Sequence, residues 1–125
     1  MDPAGVAVGT PADFAKKGLH IVADKGILVG HDDKGFYALT SVCTHNFCHM
    51  DTVSNGKALG EETATGITCK CHGSEFDLVG INTKAPQGVM GPLQPLKPYA
   101  MALGCDGKLY VDMTMVVANT VRLMA

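Results

Sequence analysis

The sequence predicts an all-β domain, on three observations. Turn signals recur at roughly eight- to twelve-residue intervals, as DKG at 24–26, DDKG at 32–35, NG at 55–56, GVMGP at 88–92 and DG at 106–107. Between them lie short β-prone runs. Only one stretch, PADFAKK at 11–17, suggests a helical turn, with Thr10 as N-cap and Pro11 at the first position. Several short strands punctuated by regular turns read as a β-sandwich or small barrel.

In chain order the runs are LHIVA at 19–23, GILVGH at 26–31, GFYALTS at 35–41, GITCK at 66–70, YAMALG at 99–104 and KLYVDM at 108–113. Two pairs, VADKGILV at 22–29 and LGCDGKLYV at 103–111, read as hairpins closed by Gly-containing turns. The 125 residues suffice for one domain spanning 1–125. Residues 41–92 differ from their flanks, with many glycines and few apolar runs. They read as a loop subdomain inserted into a β base formed by about 6–40 and 93–125.

Composition excludes several classes of function. Apolar residues make up 46% and charged residues 18%, which argues against disorder. The formal charge of −2 provides no basic field for nucleic acid. The most apolar stretch, MTMVVANTVRLMA at 113–125, is too short to span a bilayer and is broken by Asn119 and Arg122. The first residues have neither the positive start nor the apolar run of a signal peptide. The expectation is a soluble, monomeric chain, any export signal or anchor lying before Met1.

Four of the five cysteines sit in two islands, CTHNFCH at 43–49 and CKCHGS at 69–74. Cys and His in such proximity suggest metal. Buried free cysteines remain one reading of the residues and a structural zinc site another. Zinc islands usually pair as C-x2-C or H-x3-5-H, however, and C-x-H with C-x-C-H fits those spacings badly. Neither island offers the C-x-x-C of a thioredoxin-type centre.

The two islands resemble the paired motifs of Rieske iron–sulfur proteins, C-x-H in one loop and C-x-x-H in the other. The likeness extends to Phe76–Asp77 after the serine and to GPLQPL at 91–96, similar to that family's Gly-Pro loop. The resemblance implies a [2Fe–2S] cluster, with Cys43 and Cys69 on one iron and His45 and His72 on the other. It implies a Rieske-type antiparallel fold, and electron transfer coupled to proton release from the two imidazoles. Ser74 would donate a hydrogen bond to a bridging sulfide and raise the potential. No residue is assigned a catalytic role; at most the chain is the redox subunit of an oxidoreductase.

Cys48 and Cys71 match the disulfide of the quinol-oxidising members, which implies a bridge over the cluster and an oxidising location. That location is the periplasm or the outer face of a bacterial cytoplasmic membrane. The ferredoxins of ring-hydroxylating dioxygenases generally lack this pair. The implied role is the Rieske subunit of a quinol–cytochrome c reductase, with a quinol-oxidising cytochrome b and a c-type cytochrome as partners. The alternative is a stand-alone periplasmic carrier serving another oxidoreductase. Two positions depart from the high-potential pattern: Phe76 stands where a tyrosine hydroxyl often bonds a ligand sulfur, and Asn46–Phe47 replace an apolar Leu-Gly tip. Gly91 and Pro92 would shield the cluster. His49 reads as a solvated loop residue, Cys105 as a buried or half-buried thiol, and His20 and His31 carry no assignment.

Overall fold

Regular alternation of turn and β-prone run becomes twelve strands in the computed structural model, which describes residues 5–23, 25–44, 48–54, 57–71, 73–86 and 88–125. They are β1 (Val6–Gly9), β2 (Gly18–Val22), β3 (Ile27–Asp32), β4 (Gly35–Thr40), β5 (Val53–Ser54) and β6 (Lys57–Ala58). β7 (Gly60–Thr63), β8 (Gly66–Cys69), β9 (Ser74–Asp77), β10 (Asn82–Lys84), β11 (Pro98–Leu103) and β12 (Leu109–Val116) follow. A 3-10 turn, Pro11–Phe14, stands where the helical turn is expected. The Thr10 amide donates to the Asp13 carboxylate at 2.9 Å, fixing its start.

All the strand pairs are antiparallel, and the all-β expectation holds. A six-stranded sheet runs β1-β12-β11-β4-β3-β2, and a four-stranded sheet runs β10-β9-β8-β7. Both expected hairpins are present, with Val22 opposite Ile27 and Leu103 opposite Leu109. The stretch 41–92 holds more regular structure than its composition suggests, since it contains the whole four-stranded sheet and the β5–β6 pair. Its strands are short, and three of the four residues of β7 are exposed, so ladder hydrogen bonds rather than apolar side chains define them.

The central strands are buried on both faces, which is why they read as continuous apolar runs rather than alternating ones. Leu28, Tyr37 and Leu39 point to one side, where they join Met50, Ile67, Phe76 and Leu96 of the later segments. Ile27, Val29, Phe36 and Ala38 point to the other and pack with Phe14, Leu109 and Val111. The first of these cores also contains Cys43 and Cys69, so the base sheet and the cysteine islands share one apolar interior. Gly60 is needed at this junction: a Cβ there would stand 2.6 Å from the Met50 Cβ.

The chain end clasps the base. Leu123 exchanges both backbone hydrogen bonds with Phe36, at 2.7 and 2.8 Å. This aligns Arg122, whose Nε donates to Asp32 at 2.8 Å and whose guanidinium lies 4.0 Å over the Tyr37 ring. Burial alone would raise the Asp32 carboxyl, but the Arg122 hydrogen bond and the Lys34 amide outweigh it and hold it below the usual carboxylate range. Burial pushes the Tyr37 hydroxyl up to about 12, and that hydroxyl donates to the Leu78 carbonyl beyond β9. Arg122→Ala should cost about 2 kcal/mol in urea unfolding, because a mostly buried cation–π and hydrogen-bonded ion pair is lost. Part of the difference from the parent should vanish on acidification. A depressed carboxylate contributes above its unfolded pKa of about 4, and the contribution fades as pH falls through the lowered folded value.

Candidate metal centre

Each cysteine island is a hairpin loop, and the two face each other. In the first, β4 runs on past Thr40, and the Met50 amide donates to the Ser41 carbonyl at 2.9 Å. Val42 bridges His49, and the Cys43 amide donates to the Cys48 carbonyl at 2.8 Å. This ladder sets Cys43 and Cys48 across from each other; His45, Asn46 and Phe47 lie outside the described residues. In the second, Cys69 on β8 is paired directly with Ser74 on β9. The Gly73 amide returns to the Cys69 carbonyl at 2.9 Å, with Gly73 at φ +81, a conformation natural to glycine. His72 also lies outside the described residues.

The geometry joins the loops twice. Cys48 and Cys71 form a disulfide, their Cα atoms 6.6 Å apart, as the family resemblance implies. Beneath it, Cys43 and Cys69 are each 1% exposed. Ser74, fully buried, places its Oγ 3.2 Å from the Cys43 sulfur. The hydrogen bond with Cys43, then burial, push the Cys69 thiol far above its ordinary range. A buried thiol whose ionisation both Cys43 and burial oppose suits a cationic centre, because bound metal reverses that penalty and holds it as thiolate. The buried Cys43 and Cys69 therefore fit the two thiolate positions that the family resemblance implies for a [2Fe–2S] cluster.

Other residues hold the loops in place. Asp51, 3% exposed, accepts from the Ser41 hydroxyl at 2.5 Å and from the Gly26 amide at 2.7 Å, anchoring the first loop to the β2–β3 turn. A third segment, 85–97, packs alongside. Thr44 Oγ1 donates to the Gln94 carbonyl at 2.8 Å, and Asn82 Oδ1 accepts from the Leu93 amide at 2.9 Å. Within that segment Gly91 and Pro92 are exposed and Met90 is 98% exposed. Sequence reasoning passes over Asp51 and Asn82, because a single polar residue in a loop carries no spacing signal.

His49 is exposed, as expected of a loop residue, and His20 and His31 lie on β2 and β3. Cys105 corrects an expectation. It is exposed rather than buried or half-buried, because β11 ends at Leu103 and the turn carries the residue outwards. Phe76 is 2% exposed and lies two residues along β9 from Ser74, hence on the same face.

The family model for the Rieske [2Fe-2S] domain matches residues 6–99. No curated protein matches the chain. Among solved structures, the cyanobacterial plasma membrane Rieske protein PetC3 from Synechocystis PCC 6803 is 26% identical. That alignment covers 86% of this chain and 98% of that one, with a TM-score of 0.48. The ferredoxin of carbazole 1,9a-dioxygenase from Nocardioides aromaticivorans IC177 is 22% identical, covering 88% of this chain and 98% of that one. Its TM-score of 0.50 marks a likeness of fold. Among the described residues, no helix is long and apolar enough to cross a membrane.

Proposed function

The chain belongs to the Rieske [2Fe–2S] family, and from that premise we propose that it is the Rieske subunit of a quinol–cytochrome c reductase, its cluster held by Cys43, His45, Cys69 and His72. As a Rieske protein it binds a [2Fe–2S] cluster and transfers electrons to and from redox partners. The observation that supports the finer reading is the Cys48–Cys71 bridge, which ties the two ligand loops together as in the quinol-oxidising branch. The same bridge favours an oxidising location, the periplasm or outer membrane face. In this reading residues 41–92 form the cluster-binding subdomain on the base formed by 6–40 and 93–125.

When bound, the cluster takes up and returns one electron at a potential that imidazole ligation raises above the all-thiolate range. The remaining roles belong to side chains. Cys43 and Cys69 anchor the inner side within the apolar core and exclude water from it. His45 and His72 would give up ring protons as an electron leaves, so the potential should fall by about 59 mV per pH unit once one proton follows each electron. Ser74 favours the more negative reduced state by hydrogen bonding. Gly91 and Pro92 cover the centre. The partners in this reading are a quinol-oxidising cytochrome b and a c-type cytochrome.

Tuning gives a direct test of the inner residues. Ser74→Ala should lower the potential by roughly 40–90 mV, equivalent to about 1–2 kcal/mol for one electron. Phe76→Tyr should raise it, the new hydroxyl lying on the same face as Ser74. Protein-film voltammetry reads both, and an unchanged potential in Ser74→Ala would remove the hydroxyl from the tuning role.

A second reading, a stand-alone periplasmic carrier for another oxidoreductase, is favoured by one residue: Asn46 at the tip, where quinol-oxidising members carry an apolar leucine. Purification of the native protein from membranes separates the two. A b-haem spectrum co-purifying with quinol–cytochrome c activity supports the first. Rapid reduction of a soluble c-type cytochrome without quinol activity supports the second.

A further inference from the structure

We propose that reducing the Cys48–Cys71 bridge turns the same end of the protein into a different metal site, a four-thiolate site for a single divalent ion such as Zn2+. The sulfurs of Cys48, Cys69 and Cys71 all lie within 4.8 Å of one another. A tetrahedral thiolate centre has Zn–S near 2.3 Å and therefore sulfurs about 3.8 Å apart. Closing the observed triangle onto an ion needs shifts of about 1 Å or less, within reach of two side chains released from their bond.

A fourth sulfur, that of Cys43, lies outside this triangle and has to move in to complete the site. Cys43 is hydrogen-bonded to Cys69 through the sulfurs, and its amide is bonded to the Cys48 carbonyl at 2.8 Å. The four thiols thus come from two hairpins already held in register by backbone bonds. An all-sulfur donor set suits Zn2+ and disfavours the hard cations Mg2+ and Ca2+.

The chemistry balances with a dithiol reductant. Two electrons and two protons pass to the bridge, giving the Cys48 and Cys71 thiols, while the dithiol closes to its own disulfide. The ion then displaces thiol protons as it binds. In this view the bridge is a selector. By consuming two of four thiols it leaves only Cys43 and Cys69 as sulfur donors, so that the histidines must complete the centre. An unbridged chain is a trap for zinc.

The inference uses the placement of the four cysteines and not the electron-transfer reading. Iron and sulfide analysis of the bridged protein tests that reading separately. The test of the trap is a Co2+ titration of the cluster-free full chain carrying Cys105→Ser, bridged and after reduction by a dithiol that is then removed. The reduced chain should bind one Co2+ with the intense visible bands and sulfur-to-metal charge transfer of a tetrahedral thiolate site. The bridged chain and Cys48→Ser/Cys71→Ser, left with two thiolates and the histidines, should show a markedly weaker sulfur-to-metal charge transfer. Equal charge-transfer intensity in bridged and reduced chains, or no thiolate signature after reduction, would overturn the proposal. If the reduced chain unfolds, Zn2+ should restore its β-sheet circular dichroism, but not that of the double variant; failure to restore it also overturns the proposal.

Discussion

Cys69→Ala should strip the protein of its cofactor: two irons and two acid-labile sulfides per chain in the parent, and close to none in the variant. The expectation follows from where Cys69 sits. It ends β8, 1% exposed, opposite Ser74 and hydrogen-bonded to Cys43 in an interior shared with Leu39 and Phe76. No other sulfur can replace it while the bridge is intact, since Cys48 and Cys71 are consumed and Cys105 is exposed on the β11–β12 turn. Without its partner ligand the buried Cys43 would revert to a neutral thiol, a weak donor for iron. Visible absorption and the low-average-g resonance of the reduced protein should vanish together. Full iron content in Cys69→Ala would exclude it as a ligand. One zinc per chain in the bridged parent, with no visible absorption, would remove the iron–sulfur assignment altogether.

The second large effect is expected from the bridge. Cys48→Ser/Cys71→Ser removes a cross-link between residues 23 apart in sequence. The loop-entropy relation gives about 3 kcal/mol for a closed segment of that length. The effect should fall on the loops more than on the base sheet, because the bridge joins the two loops directly while β3 and β4 are buried on both faces. Loss of cluster absorbance on heating should therefore precede loss of β-sheet circular dichroism in the variant, whereas the two should coincide in the parent. The potential should also fall, since loosened loops admit water and blur the aim of the Ser74 hydroxyl. Coincident transitions at the parent temperature would show that the backbone ladders alone hold the loops.

What the sequence reveals depends on how local the cause is. β2, β3, β4, β11 and β12 are legible because each is a β-prone run ended by a turn residue. β7 is not: Glu61, Glu62 and Thr63 are exposed, and only pairing with Thr68, Ile67 and Gly66 makes them a strand. β10, with Thr83 and Lys84 exposed, fails for the same reason. At the centre, Cys43, Cys48, Cys69 and Cys71 stand out by spacing, and the structure brings all four together. The Asp51 anchor reaches from the first loop to Gly26, and Arg122 reaches Asp32 and Tyr37 from the far end of the chain. Partners separated by dozens of residues leave no periodicity to detect. Cys105 is misjudged because its neighbours Leu103 and Leu109 are apolar, although the turn between them points outwards.

Burial of Cys43 and Cys69 in the common apolar interior bears on speed as well as strength. Whenever an electron arrives or leaves, the surrounding dipoles must re-orient, and the energy of that re-orientation sets much of the activation barrier. Around these sulfurs the neighbours are Leu39, Met50, Ile67, Phe76 and Leu96, closely packed and nearly without polar groups to turn. The Ser74 hydroxyl already lies 3.2 Å from the Cys43 sulfur before any charge changes. A polar partner held in place and a surround that barely responds together favour a small reorganisation energy, so exchange with a partner can be fast even when the driving force is slight.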